Sequence, residues 1–163
     1  MKDLRTSPKE GFAMPRVFVH QRIGGVAGAV AASWCSREQT PGNGLWETVG
    51  GLAGGVLGAS VPDILDPPRH SGHRGLGHGI VPAVATTAFV WPRIHSMQVF
   101  LREMAGSVGR QGTFEGDPVQ RIQSVLLETF LRITAGAVPG IVAGCASHWL
   151  LDLETPRGLP FLD

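Results

Sequence analysis

Thr48-Val49-Gly50-Gly51-Leu52-Ala53-Gly54-Gly55-Val56-Leu57-Gly58-Ala59-Ser60-Val61-Pro62 carries no formal charge, and Gly50, Gly54 and Gly58 recur in it every four residues. Positions four apart form one ridge of an α-helix. A ridge of small residues lets two backbones approach closely, as in the small-xxx-small packing of membrane helices. Two other stretches repeat the spacing, with Gly24, Gly28 and Ala32 in one and Gly136, Gly140 and Gly144 in the other. A glycine inside a water-exposed helix costs about 1 kcal/mol relative to alanine. Three such triplets therefore predict helices that pack through these rows.

Outward from that stretch the chain divides into four apolar segments, at about Val17–Cys35, Leu45–Pro62, Gly79–Trp91 and Ile133–Leu151. Pro41, Gly42, Asn43 and Gly44 in the linker between the first two read as a turn. Residues 102–121 are polar and Gly-rich, and read as a connection. At its end Asp117 is placed to cap a helix and Pro118 to occupy its first position. The pattern Val119, Ile122, Val125, Leu126, Leu127 and Phe130 continues that helix into the fourth segment, with a kink near Pro139. The fold class expected is all-α: a polar tail over residues 1–16, then one domain over 17–163 built as an antiparallel bundle of four main apolar helices.

Composition removes several alternatives. With 14 Lys+Arg against 13 Asp+Glu the formal charge is +1, without the basic surplus by which nucleic-acid binders displace counterions, so no nucleic-acid partner is expected. A hydrophobic share of 43% excludes a disordered chain. Cys35 and Cys145 stand far apart in apolar surroundings, which reads as two small buried hydrophobes and not as a disulfide or thiolate framework. Ala29-Val30-Ala31 mimics a signal-peptide cleavage site, but cleavage would remove His20, which the clusters below use. A span needs roughly 20 apolar residues; the charge-free runs 23–36 and 48–62 are short, and 75–92 and 133–151 are borderline. The mean hydropathy of +0.11 is low for a wholly embedded bundle.

Histidines and aspartates gather at the ends of the apolar segments. His20 opens the first, Asp63, Asp66, His70, His73 and His78 join the second to the third, and His148 and Asp152 close the fourth. Threaded up and down, all three clusters fall at one end of the bundle. His20 continues the row Gly24, Gly28, Ala32, and His148 and Asp152 extend the row Gly136, Gly140, Gly144. His148 and Asp152, four apart, can face one ion from a single helix. His95 follows the third segment without an acidic companion. Imidazoles with carboxylates suit zinc, manganese, iron or nickel, and the absence of cysteine from the clusters argues against a closed structural zinc site.

The segments Pro62-Asp63-Ile64-Leu65-Asp66-Pro67, His73-Arg74-Gly75-Leu76-Gly77-His78 and His148-Trp149-Leu150-Leu151-Asp152-Leu153-Glu154-Thr155-Pro156-Arg157-Gly158-Leu159-Pro160 resemble those of the YdjM-like family of LexA-regulated, membrane-bound metal-dependent hydrolases, as does His20 followed by Gly24. The resemblance runs over about residues 17–162, and the ending from His148 is its most specific part. Two departures stand out: glycines replace the Thr and Ser of the family's His-Arg-Gly motif, and an extra residue separates Asp63 from Asp66.

The resemblance implies an inner-membrane helical protein with a hydrolytic metal centre. Its ligands are expected among His20, Asp63, His73, His78, His148 and Asp152, with Asp66 bridging or acting as base. That is more than one catalytic zinc takes, so the expected cofactor is one or two divalent ions, zinc foremost. Arg74 is then placed to neutralise an anionic substrate such as a phosphoester, either a small molecule or a lipid. Two alternatives remain: a non-catalytic membrane or assembly protein with a structural metal, and a soluble cytoplasmic metallohydrolase. The ligand end carries Lys2, Arg5, Lys9, Arg16, Arg22, Arg69, Arg74 and Arg157, against Arg37, Arg93, Arg102, Arg110, Arg121 and Arg132 at the other. This bias places the site on the cytoplasmic face. Oligomeric state is not legible.

Overall fold

A computed structural model of the chain describes residues 14–65, 89–114 and 117–153. They form four helices: α1 (Met14–Cys35), α2 (Pro41–Leu65), α3 (Trp91–Phe114) and α4 (Pro118–Leu153). Among the described residues there is no strand. The all-α expectation holds, but three boundaries are corrected. Residues 14–16 belong to α1 and not to a tail. Pro41 to Gly44 form the first turn of α2, closed by the Gly44 amide donating to the Thr40 carbonyl at 2.9 Å. Proline lacks an N–H that the first turn would leave unpaired in any case, so it starts a helix as readily as a loop.

The third correction is larger. Residues 102–114, read as part of a connection, are the second half of α3. Ile94, Gln98 and Ala105 are buried, with Leu101 and Arg102 half-buried between them, which is a helical stripe turned toward neighbouring helices. Gly106 and Gly109 obscured that periodicity. Gly109 lies against the Glu128 carboxylate, the movable end of a flexible side chain. The segment 79–91 lies outside the described residues except at its last positions, from Phe89. Asp117 caps α4 as expected, its Oδ1 accepting from the Val119 and Gln120 amides at 2.6 and 3.1 Å. The helix then runs without a break through Pro139.

One row of α2 organises the packing. Glu47, Gly51, Gly55 and Ala59, four apart, lie between α1 and α4. Toward α1, Gly24 meets Gly55 and Ala59, and Gly28 meets Gly51 and Gly55, so the two helices run in opposite directions. Toward α4, Gly136 meets Glu47, Gly140 meets Gly51 and Gly144 meets Gly55, so these two run in the same direction. The expected row Gly50, Gly54, Gly58 touches α4 alone, at Ile133, Ala137 and Ile141. These contacts are backbone on backbone. A Cβ on Gly140 would overlap the Gly51 carbonyl oxygen, and one on Gly28 would overlap it from the other side.

With small residues inside, the large apolar side chains point outward. Val26, Val30 and Trp34 of α1, Leu52 and Leu57 of α2, and Leu126, Phe130 and Leu150 of α4 are all exposed. Several charged groups are buried instead. The Glu47 carboxylate is fully enclosed and accepts from Arg102 Nε at 3.0 and 3.1 Å and from its Nη2 at 2.5 Å. Arg102 also donates to the Cys35 carbonyl at 3.0 Å, capping α1. Arg132 stands 3.7 Å from Glu47 and donates to Gln39 Oε1 at 3.0 Å. Polar inside and apolar outside is the reverse of a water-soluble bundle, and it suits hydrocarbon surroundings, where buried charges must pair.

Gly51→Ala is expected to destabilise the detergent-solubilised protein by roughly 1–3 kcal/mol through overpacking. Gly42, which has open space where a side chain would go, should accept alanine with no loss, in the same denaturation measurement. Arg102→Met should cost about 3 kcal/mol, because it strips Glu47 of its two-pronged partner in a buried setting.

Candidate functional site

Each packing row ends in a polar residue four positions on. In α1 the row Ala32, Gly28, Gly24 leads back to His20; in α2 the row Gly51, Gly55, Ala59 leads to Asp63; in α4 the row Gly136, Gly140, Gly144 leads to His148 and then Asp152. Because the small residues hold the three helices close, these four side chains converge. The His20 and His148 rings lie 4.3 Å apart between centroids, tilted by 38°. Beside them Gln21 donates to Ser60 Oγ at 3.2 Å, tying α1 to α2 at the same level.

His148 is the centre of the cluster and is only 2% exposed. Its Nδ1 lies 2.6 Å from the Ala59 carbonyl oxygen. A carbonyl only accepts, so Nδ1 carries the proton and donates. Nε2 then faces two carboxylates, Asp152 Oδ2 at 3.4 Å and Asp63 Oδ1 at 3.7 Å. One turn earlier on α4, the Cys145 thiol donates to the Gly58 carbonyl at 3.1 Å. Cys145 and Trp149 are buried and Val61 packs against them, giving the cluster an apolar floor. Cys145 is thus the small buried residue expected, with a donor role as well; Cys35 is half-buried.

Of the residues singled out from the sequence, His20, Asp63, His148 and Asp152 are brought together. Asp66, His70, His73, Arg74 and His78 lie outside the described residues. His95 is exposed on α3, apart from the cluster. Among the described residues, no group of three or more His, Cys, Asp or Glu is arranged to hold a metal ion. The cluster is therefore an oriented imidazole with two carboxylates before its second nitrogen and another imidazole tilted against it. The sequence reading missed the Glu47–Arg102–Arg132 cluster. Its signal was present: Glu47 precedes Gly51 by four and Arg132 precedes Gly136 by four, so the same rows carry a charge at their other ends.

Among the described residues, two helices, α2 and α4, are long and apolar enough to cross a membrane by length and composition. A family model described as YdjM inner membrane protein matches residues 14–162. No curated protein matches the chain, and no solved structure does.

Removing the His20 ring by His20→Ala should move the His148 ring proton resonances, through lost ring-current shielding. His95→Ala should leave them in place. Unmoved resonances in the first variant would contradict the stacked arrangement.

Proposed function

The chain belongs to the YdjM inner membrane protein family, and from that premise we propose that it is a membrane-embedded, metal-dependent hydrolase acting on a phosphoester, with a lipid as the favoured substrate class. The observation that carries this reading is the convergence of His20, Asp63, His148 and Asp152 from three helices, with His148 Nδ1 committed to the Ala59 carbonyl. A metal-binding histidine commonly donates its other ring nitrogen to a backbone carbonyl in this way, which fixes the tautomer and aims the lone pair. Ligand atoms around a four-coordinate zinc, with bonds of about 2.0–2.1 Å, stand roughly 3.3–3.4 Å apart. The 3.4 Å between Nε2 and Asp152 suits that spacing, and the 3.7 Å to Asp63 is slightly longer. The donor set fits zinc, and also manganese, iron or nickel.

In this proposal His20, Asp63, His148 and Asp152, with His73 and His78, hold one or two divalent ions. The ion, when bound, lowers the pKa of a coordinated water and supplies a nucleophile at neutral pH. The chain's own groups do the rest. Ala59 holds the His148 ring, the carboxylates of Asp63 and Asp152 provide negative charge, and Trp149 and Cys145 keep bulk water from the floor. Asp66 takes the proton of the attacking water, and Arg74 binds the phosphoester's negative charge. Exposed Ile64 and Leu65, next to Asp63, and Leu150, beside Trp149, give the rim an apolar surface suited to acyl chains.

The site is proposed to face the cytoplasm. By order in the sequence, eight Lys and Arg are assigned to its end against six to the other, and two of those six, Arg102 and Arg132, are engaged with Glu47. A second reading, a metal that only staples the helix ends together, is favoured by the depth of His148 and Asp152, both buried.

Metal analysis of the purified protein, combined with hydrolysis assays on soluble phosphodiesters and on phospholipids in mixed micelles, separates these. The expected outcome is bound metal, turnover, and a fall in metal stoichiometry in His148→Ala and Asp152→Asn. Metal without turnover, and unfolding on chelation, would favour the staple. Metal content unaltered in both variants would remove the assigned ligands.

A further inference from the structure

We propose that the end of the bundle remote from His148 is a homodimer interface: the apolar stripe Val119, Ile122, Leu126 and Phe130 of α4 pairs in parallel with the same stripe of a second copy. α4 has 36 residues, about 54 Å at its rise per residue, against a hydrocarbon core of about 30 Å. The α1–α2 pair shows where the excess lies. Gly136 meets Glu47, so Pro41, where α2 begins, stands level with Phe130. In the polar turn before it, Gln39 accepts from Arg132 at 3.0 Å. Close by, the Arg37 guanidinium lies 4.8 Å from the Trp34 ring centre, a pairing suited to the membrane–water boundary. Residues 118–129 of α4 therefore project about 18 Å past the end of α1 and α2.

The charges of this projection all share one side. With 3.6 residues per turn, Asp117, Arg121, Glu128 and Arg132 fall on one face of α4. α3 packs along that face: Gly109 lies against the Glu128 carboxylate, and Arg102 shares Glu47 with Arg132. Val119, Ile122, Leu126 and Phe130, spaced three, four and four apart, form the opposite face, with Val125 and Leu127 at its edges. All six are 49–65% exposed, at or beyond the level where α1 and α2 end. A contiguous apolar stripe outside the bilayer marks an interaction surface. Copies in one membrane share their orientation, so a twofold axis along the membrane normal brings each residue of α4 against itself. A charge in such a seam would repel its own copy, and this seam contains none. Its spacing matches the core positions of a parallel helix pair. Six such side chains over three turns offer on the order of 500 Å² per copy, about the lower limit for a specific interface.

The pairing does not rest on the metal reading. The test uses the full chain in vesicles of phosphatidylethanolamine and phosphatidylglycerol. Dimerisation is followed by energy transfer between donor- and acceptor-tagged copies as lipid is added, and by oxidative cross-linking of cysteine variants. Leu126→Cys is expected to give a disulfide-linked dimer. Gln120→Cys, exposed but turned away from the seam, should give none above the wild-type background, which half-buried Cys35 and buried Cys145 set. Leu126→Glu, folded by circular dichroism, should raise the dimer Kd about 100-fold or more, because like charges then meet. Equal cross-linking at positions 120 and 126 signals chance encounter and overturns the proposal, whether or not Leu126→Glu folds. So does wild-type energy transfer no greater than random mixing gives, and so does a folded Leu126→Glu that pairs as wild type does. If Leu126→Cys neither cross-links nor reacts with a membrane-impermeant maleimide, the bilayer or another part of the chain covers the stripe, and the proposal fails.

Discussion

Backbone contact along the row Glu47, Gly51, Gly55, Ala59 is the constraint from which the rest of the structure follows. α1 and α4 press on this one row from two sides, close enough that a Cβ on Gly28 or Gly140 would overlap the same carbonyl oxygen. Such an interface contains little side-chain area to bury. Its cohesion comes from dispersion between closely spaced backbones, which needs glycine on at least one side of each contact and fails with one methyl group too many. The large apolar side chains have no room inside and turn outward, where acyl chains can solvate them. Membrane residence is in this sense a result of the core and not an addition to it.

The same closeness governs the polar groups. Each row carries chemistry at its ends: His20, Asp63, His148 and Asp152 at one end, Glu47 and Arg132 at the other. Helices held this near one another bring those ends into contact. At the Glu47 end the charges compensate one another, because Arg102 reaches across from α3 with two bonds and Arg132 stands opposite. At the other end two carboxylates, those of Asp63 and Asp152, face one imidazole nitrogen. The first arrangement satisfies its own charge and holds the bundle's end together. The second keeps a set of ligand-type groups oriented toward one another.

Much of this was legible in advance, for a physical reason. Spacing by four is a property of the helix itself, so Gly24–Gly28–Ala32 and Gly136–Gly140–Gly144 announced packing rows and pointed to His20, His148 and Asp152. The capping of α4 by Asp117 was equally local. Less was readable where two patterns overlap. The doubled glycines of α2 form two adjacent rows, and the sequence favoured Gly50–Gly54–Gly58, whereas Gly51–Gly55–Ala59 is the one that both neighbours use. Which row faces which helix depends on where the other helices stand. α3 was missed because its glycines and charges resemble a loop until Arg102 finds Glu47, a partner distant in sequence.

The chain by itself determined that it would be helical, that its helices would meet through small residues, and that imidazoles and carboxylates would lie at the ends of those rows. These follow from periodicity and from which residues lack side chains. Only the tertiary structure decided that α2 is the shared partner, that Glu47 is neutralised by α3 and α4, and that the Gly58 carbonyl, left without a helical donor by Pro62, meets the Cys145 thiol. A proline in the sequence shows that a carbonyl loses its donor. Which side chain takes that place is settled by how closely another helix can approach, and here the glycines set that distance.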